Sequence, residues 1–223
     1  MAKIERDRIK KNKLILCEGR DEENFLLSWL NSDELSSEPG FSGEIQIFNF
    51  EGNSDLSRQL EKYRKMDGFD SLTHLMIIRD AEQDVEGAIK SIQSALENNG
   101  FQIPKEPYQW IYDDKNDLYI GFLLFPTCDK NPTTGTLENL CLKILSKSDA
   151  PTCMEEVDTF LKRLETEHGK IFTHKFKTQL HTYFAVSDDY VGMKIGEAAK
   201  AEALDWSSSE LEPLRNFVRY MIK

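Results

Sequence analysis

Apolar and polar positions along roughly the first half of the chain switch repeatedly between a strand-like and a helix-like period. The apolar run "KLILC" at residues 13–17 predicts a short buried strand. In "EGRDEENFLLSWLNSDEL", Phe25, Leu26, Trp29 and Leu30 then recur at helical spacing, which predicts an amphipathic helix. "SSEPGFSG" is a loop by its serine, proline and glycine content. "EIQIFNF" alternates as a strand, "EGNSD" turns, and "LSRQLEKYRKM" has helical period with Ser54 or Asp55 as the expected cap. "THLMIIRD" is a further strand, followed by "VEGAIKSIQSALENNG", a helix that Gly100 should stop. Three strand–helix repeats predict an α/β fold: a mostly parallel sheet with helices on both faces. "QWIYD" and "YIGFLLFP" are expected as additional strands, the second nearly continuous in apolar residues, as a strand buried on both sides should be.

From residue 134 the period becomes helical throughout, in "GTLENLCLKILSK", "CMEEVDTFLKRLETEHG", "THKFKTQLHTYFAV" and "SELEPLRNFVRYMI", with "SKSDAPTC" as a linker. The expected organisation is a basic leader over 1–13, an α/β core over 14–130, and a C-terminal helical region over 131–223. That last region packs on the sheet or caps it. No internal repeat or low-complexity tract interrupts the pattern.

With 223 residues, 39% apolar and 30% charged, the composition is that of an ordinary globular protein. No apolar run approaches the roughly 18 residues that span a bilayer, and "MAKIERDRIKKNK" has no apolar signal core, so a cytoplasmic protein without a membrane partner is expected. Cys17, Cys128, Cys141 and Cys153 include no CxxC pair, which suggests neither a zinc site nor a disulfide framework; Cys17 and Cys141 sit among apolar residues as small core side chains. His74, His168, His174 and His181 show no ligand pattern such as HExxH, and His174 and His181, which would share a helix face, suit a surface role.

The formal net charge of −11 bears more directly on function. Phosphate neutralisation dominates nucleic-acid affinity, so a surface binder is normally basic. This chain must avoid nucleic acid, borrow positive charge from metals or a partner, or confine its basic residues to a patch. Residues 1–13 carry six Lys or Arg against two acids, and "HKFKTQLH" adds a small basic face, although either run is equally compatible with a solvated surface.

Two expected strands end on carboxylates. "LILCEGRDEE" places Glu18 at a strand end, Gly19 in the turn, and Asp21, Glu22 and Glu23 in the first turn of the helix. "LMIIRDAEQD" places Asp80 at a strand end, with Glu82 and Asp84 beyond it. Ligands of open parallel sheets bind beyond the carboxyl ends of the strands. Carboxylates gathered there repel unless something offsets them, and hard oxygen ligands in a loose cluster suit Mg²⁺ or Mn²⁺. Each half alone reads as acids favouring a helix macrodipole or as an acidic turn. Together, at equivalent strand ends of one sheet, they point to a metal site.

This combination resembles the TOPRIM domain, whose signature is an apolar strand ending in Glu-Gly with a second acid four positions later, then an apolar strand ending in an Asp-x-Asp-like motif. That domain is shared by type IA and II topoisomerases, bacterial primases, small ribonucleases that mature ribosomal RNA, and overcoming-lysogenization-defect (OLD) nucleases. On the resemblance, Glu18 matches the motif glutamate, Gly19 the following glycine, Glu22 the second acid with Asp21 as stand-in, and Asp80 the first aspartate. Glu82 stands where the pattern has aspartate, a departure that lengthens the arm by one carbon, and Asp84 is a further acid. "FLLFPTCDKNPTTGTLENLCL" is similar to the segment that follows in small bacterial stand-alone TOPRIM-like proteins and, in OLD-type nucleases, supplies another glutamate, which makes Glu138 a candidate ligand. OLD-like nucleases also place a lysine after the acids, and here Lys175 and Lys177 are available.

The resemblance therefore implies a nuclease that uses Mg²⁺ or Mn²⁺ to cleave DNA or RNA. Its catalytic residues would be Glu18, Asp80 and Lys177, its ligands Glu18, Glu22, Asp80, Glu82, Asp84 and Glu138, and no organic cofactor is called for. Similarity to OLD-type and related two-gene systems also implies a role in phage defence beside an ATPase partner. The sequence shows no Walker A motif, cleavage–reunion tyrosine module or primase domain, which argues against a complete ATPase, topoisomerase or primase on this chain. The alternative is a non-catalytic TOPRIM-fold binding or regulatory subunit of a nucleic-acid-processing complex. Homo-oligomerisation is compatible with either.

Overall fold

A computed structural model describes residues 8–36, 43–50, 56–146 and 151–222. Most of the "SSEPGFSG" loop, the "EGNSD" turn with the cap candidates Ser54 and Asp55, the centre of the "SKSDAPTC" linker and the first seven residues of the leader lie outside the described residues.

Five strands, β1 (Lys13–Cys17), β2 (Ile45–Asn49), β3 (His74–Asp80), β4 (Trp110–Asp113) and β5 (Leu118–Phe125), form one sheet in the order β2-β1-β3-β5-β4. β1, β2, β3 and β5 run parallel, and β4 pairs antiparallel with β5 at the edge. The antiparallel pairing follows from the short connection between these two strands, which leaves no room for a crossover. Buried Asp113 fixes that turn by accepting from the backbone N–H groups of Gln102, Lys115 and Asn116.

Strand alternation divides the core in two. Ile15, Cys17, Ile47, Met76, Ile78, Leu123 and Phe125 point to one face, where α1 (Arg20–Leu30) packs. Leu14, Leu16, Phe48, Leu75, Ile77, Phe122 and Leu124 point to the other, covered by α3 (Leu56–Arg64) and α4 (Val85–Asn98). Gly100, at φ +73°, follows the end of α4 in the left-handed conformation that favours glycine. Between α1 and β2 a single turn, α2 (Asp33–Ser36), had no legible period.

The C-terminal helices extend the α1 face. They are α5 (Leu137–Ser146), α6 (Pro151–His168), α7 (Lys175–Val186), α8 (Ile195–Lys200) and α9 (Glu212–Arg219), the last flanked by 3₁₀ turns. Leu140, Cys141 and Ile144 of α5, Leu180 and Phe184 of α7, Ala198 of α8 and Leu214 and Val218 of α9 join the same core cluster as the sheet. Cys17, Cys128 and Cys141 are buried in this layer, whereas Cys153 is exposed.

The sequence pattern did not predict α8, whose "IGEAAK" lacks a stripe of large apolar residues. Its small residues serve a close approach instead. A Cβ at Gly196 would lie 2.6 Å from Asn24 Cβ on α1, and the Gly196 N–H donates to Asp21 Oδ1 at 3.2 Å. Gly196→Val should therefore push α8 off α1 and destabilise the fold by about 1–3 kcal/mol, read as a lower urea midpoint with an unchanged m-value.

The described part of the leader is tied to the sheet. Lys13 pairs with Glu44 at 2.6 Å, Lys11 Nζ donates to the Ile45 carbonyl, and the Ile9 N–H donates to the Asp67 carbonyl.

Candidate functional site

β1 and β3 end at different heights, and the difference builds the site. Their pairing stops at Leu16 opposite Ile77, while β3 continues beside β5 until Asp80 faces Phe125. Past Cys17 the chain turns at Glu18 and Gly19 into α1, so Glu18 occupies the edge that β1 vacates. Its carboxyl accepts a hydrogen bond from the Asp80 backbone N–H. Its Oε2 is buried, lies 3.6 Å from Arg79 Nε and has no hydrogen-bond donor among the described residues.

Consecutive strand residues point to opposite faces, so Arg79 and Asp80 diverge. Arg79 lies on the α4 side, where its Nη1 donates to Ser91 Oγ at 3.0 Å. Asp80, only 8% exposed, lies on the α5 side and accepts the Leu137 N–H at 2.9 Å. The strand end is thus pinned to the first residue of α5, where unpaired helical N–H groups favour a carboxylate. Glu138 follows in the same turn, mostly buried, with Oε1 3.7 Å from Lys177 Nζ of α7. Glu22 in the first turn of α1 folds back over Gly19, since a Cβ there would stand 2.8 Å from Glu22 Oε2. A side chain at position 19 would displace that carboxylate.

Burial and mutual repulsion drive these groups toward their neutral forms. Burial pushes Asp80 up to about 9, helped by the charges of Glu22, Glu138 and Glu18 and opposed by the Leu137 N–H. Glu22 rises to about 7, chiefly through burial, with Glu18, Asp21 and Glu138 adding repulsion. Glu18 is also raised by burial, against the attraction of Arg79. Carboxylates from β1–α1, β3 and α5 therefore feel one another at one end of the sheet.

The remaining candidates are placed differently. Glu82 is exposed, in the left-handed region at φ +52°, and its backbone exchanges two hydrogen bonds with Gly135. Its charge still acts on Glu18. Asp84 caps α4 by accepting the Gly87 N–H at 2.9 Å. Asp21 receives the Gly196 N–H of α8. Lys175 pairs with Glu165 at 2.8 Å, so of the two lysines it is Lys177 that reaches the acids. His74 lies at the opposite end of β3, stacked on Tyr119 and held near pKa 4 by burial and by Lys13. A cavity of about 600 Å³ lined in part by Leu27, Asn31, Glu34, Lys200 and Trp206 does not include these carboxylates.

The roles of two buried charged residues, Arg79 beside the site and Glu23 outside it, escaped the sequence reading. Arg79 was visible as a lone cation inside an apolar strand, a residue that requires a buried partner. Glu23 looked like one more acid in a helical turn, but it is buried and receives Asn49 Nδ2 at 2.6 Å.

The donor set is chemically suited to a hard divalent cation, being carboxylate oxygens only, one of them the buried Glu18 Oε2, which has no donor among the described residues. Among the described residues, however, no three His, Cys, Asp or Glu side chains stand so as to hold a metal ion. Closing a ligand shell would require carboxylates to rotate toward one another. Among the described residues, no helix is long and apolar enough to cross a membrane.

A family model described as "Protein of unknown function (DUF3226)" matches residues 12–223. No curated protein matches the chain. The crystal structure of a hypothetical protein from Pyrococcus horikoshii OT3 is similar at 16% identity and a TM-score of 0.58, covering 95% of this chain and 93% of that one. The C-terminal region of the OLD protein of Xanthomonas campestris pv. campestris aligns at 13% identity with a TM-score of 0.45, over 96% of this chain and 97% of that one. The Pyrococcus likeness shows a shared fold.

Proposed function

We propose that this chain, which belongs to the DUF3226 family, is a TOPRIM-type nuclease that hydrolyses phosphodiester bonds of DNA or RNA with Mg²⁺ or Mn²⁺. The observation that carries the reading is the convergence of Glu18, Glu22, Asp80 and Glu138 at the carboxyl end of a parallel sheet, around a buried aspartate. A fold tolerates mutually repelling buried acids at a cost in stability, and such costs cluster where function requires them. Glu18, Glu22, Asp80 and Glu138 would hold the cation, with Glu82 near enough to Glu18 to contribute to the local field. The cation would neutralise the acids, attract a phosphate and polarise its oxygens. Lys177, more than half exposed beside Glu138, would place a positive charge where negative charge develops on that phosphate. Arg79, 3.6 Å from the Glu18 carboxylate, would hold Glu18 in position.

The test is cleavage of plasmid DNA and of structured RNA by the purified protein with Mg²⁺ or Mn²⁺. Wild type should cleave one of them, and Glu18→Gln should lose at least about a hundredfold in rate. Absence of any cleavage, in company with no cation-dependent rise in melting temperature, rules the reading out.

One observation favours a second reading, a non-catalytic TOPRIM-fold binding or regulatory subunit: the acids are not arranged as a metal shell, and three of them are engaged with Arg79, the Leu137 N–H and Lys177. On that reading Glu18→Gln leaves nucleic-acid handling by the intact complex unchanged.

A further inference from the structure

Among the described residues, exposed large apolar side chains concentrate on the α6–α7 hairpin and the segment just after it. Seven large apolar side chains are exposed among the described residues, and five of them, Phe160, Ile171, Phe176, Val186 and Val191, fall between residues 160 and 191. A groove of about 510 Å³ runs between the two helices, lined by Cys153, Glu156, Phe160 and Arg163 of α6 and Val186 of α7, among others.

α6 has two seams. Met154, Val157 and Leu161 are buried against the protein's own core. On the outer side Cys153, Glu156, Phe160, Arg163 and Glu167 recur at alternating spacings of three and four residues, the spacing of a helix that packs on another helix. The charges on this outer seam are self-complementary. Glu156 and Arg163 stand two turns apart with Phe160 between them, and among the described residues neither makes an ion pair within the chain.

We infer that this face is the interface between two copies of the chain. α6 packs antiparallel on its symmetry mate across a two-fold axis near Phe160. Phe160 then fills the groove beside Val186, and Glu156 meets Arg163 of the partner subunit. A two-fold contact makes every pair twice, so one self-complementary stripe is sufficient to specify the register. The charge order along α6 selects a second copy over an unrelated apolar partner, because antiparallel apposition of the stripe on itself is what brings opposite charges together.

Sedimentation of the full chain between about 1 and 100 µM tests this directly. The expected species is a dimer of twice the 25.8 kDa chain mass. Phe160→Asp should give a folded monomer, since the side chain is already exposed. Glu156→Arg and Arg163→Glu, each of which sets like charges opposite one another, should each weaken the dimer at least about tenfold, and combining them should restore it to within about threefold of wild type. Cys153, the exposed thiol in the groove, gives a readout without any substitution: its alkylation should slow as protein concentration rises. A chain that stays monomeric throughout, or a dimer that neither Phe160→Asp nor the charge swaps disturb, overturns the proposal.

Discussion

Asp80→Asn should make the cation-free protein more stable and abolish the proposed nuclease activity. The amide is isosteric and still accepts the Leu137 N–H through Oδ1, so the contact between β3 and α5 survives. What disappears is a carboxyl that burial and three neighbouring acids hold at about pKa 9. At neutral pH the unfolded chain ionises this aspartate freely while the folded chain must keep it protonated or bear the charge, a penalty on the order of several kcal/mol from a shift of this size. The variant escapes that penalty, and its melting temperature without cation should rise. Cleavage should fall at least about a hundredfold, because a neutral amide is a poor replacement for an anionic ligand. A differential scan and a cleavage assay on the same preparation check both halves. An Asp80 without a catalytic role would give the same rise in melting temperature with activity intact, and a fall in melting temperature would contradict the burial penalty itself.

The wild-type protein should lose stability as pH rises, and a divalent cation should return it. Asp80 and Glu22 have folded pKa values of about 9 and about 7, above their ordinary values of 3.8 and 4.5. Folding therefore takes up protons. The stability of the protonated forms is fully present below about pH 4, declines as Glu22 is titrated through about 7, and declines further as Asp80 approaches about 9. On the proposed function Mg²⁺ or Mn²⁺ would compete with those protons for the same oxygens, so its stabilising effect should be small at pH 5 and large at pH 8.5. At a hundredfold excess over its dissociation constant a cation contributes about 2.7 kcal/mol. Melting temperatures at the two pH values, with chelator and with cation, give the answer. An equal shift at both would place the cation away from these acids.

Much of the fold was legible because the strands that matter are apolar on both sides. β1, β3 and β5 lie inside the sheet, and their continuous aliphatic runs can be read without knowing the partners. The direction of β4 was not announced by its residues; it follows from the short turn that Asp113 holds together. α8 was invisible because its contribution is smallness, and Gly196 and Ala198 matter through how closely α1 can approach. At the site, strand ends on one edge of a parallel sheet are brought near one another by topology alone, which is why Glu18 and Asp80 could be paired from the sequence. Finer assignments depend on which backbone N–H each acid meets. Asp84 caps α4, Asp21 receives α8 and Asp80 receives α5, and spacing along the chain does not contain that information.

The most direct test is anomalous diffraction from a crystal equilibrated with Mn²⁺ at about pH 8. A manganese peak bounded by carboxylate oxygens of Asp80, Glu22 and Glu138 or Glu18, with Lys177 close by, is the predicted result. A crystal with no peak at this edge of the sheet, in which Asp80 still holds only the Leu137 N–H and Glu18 still lies against Arg79, would contradict it.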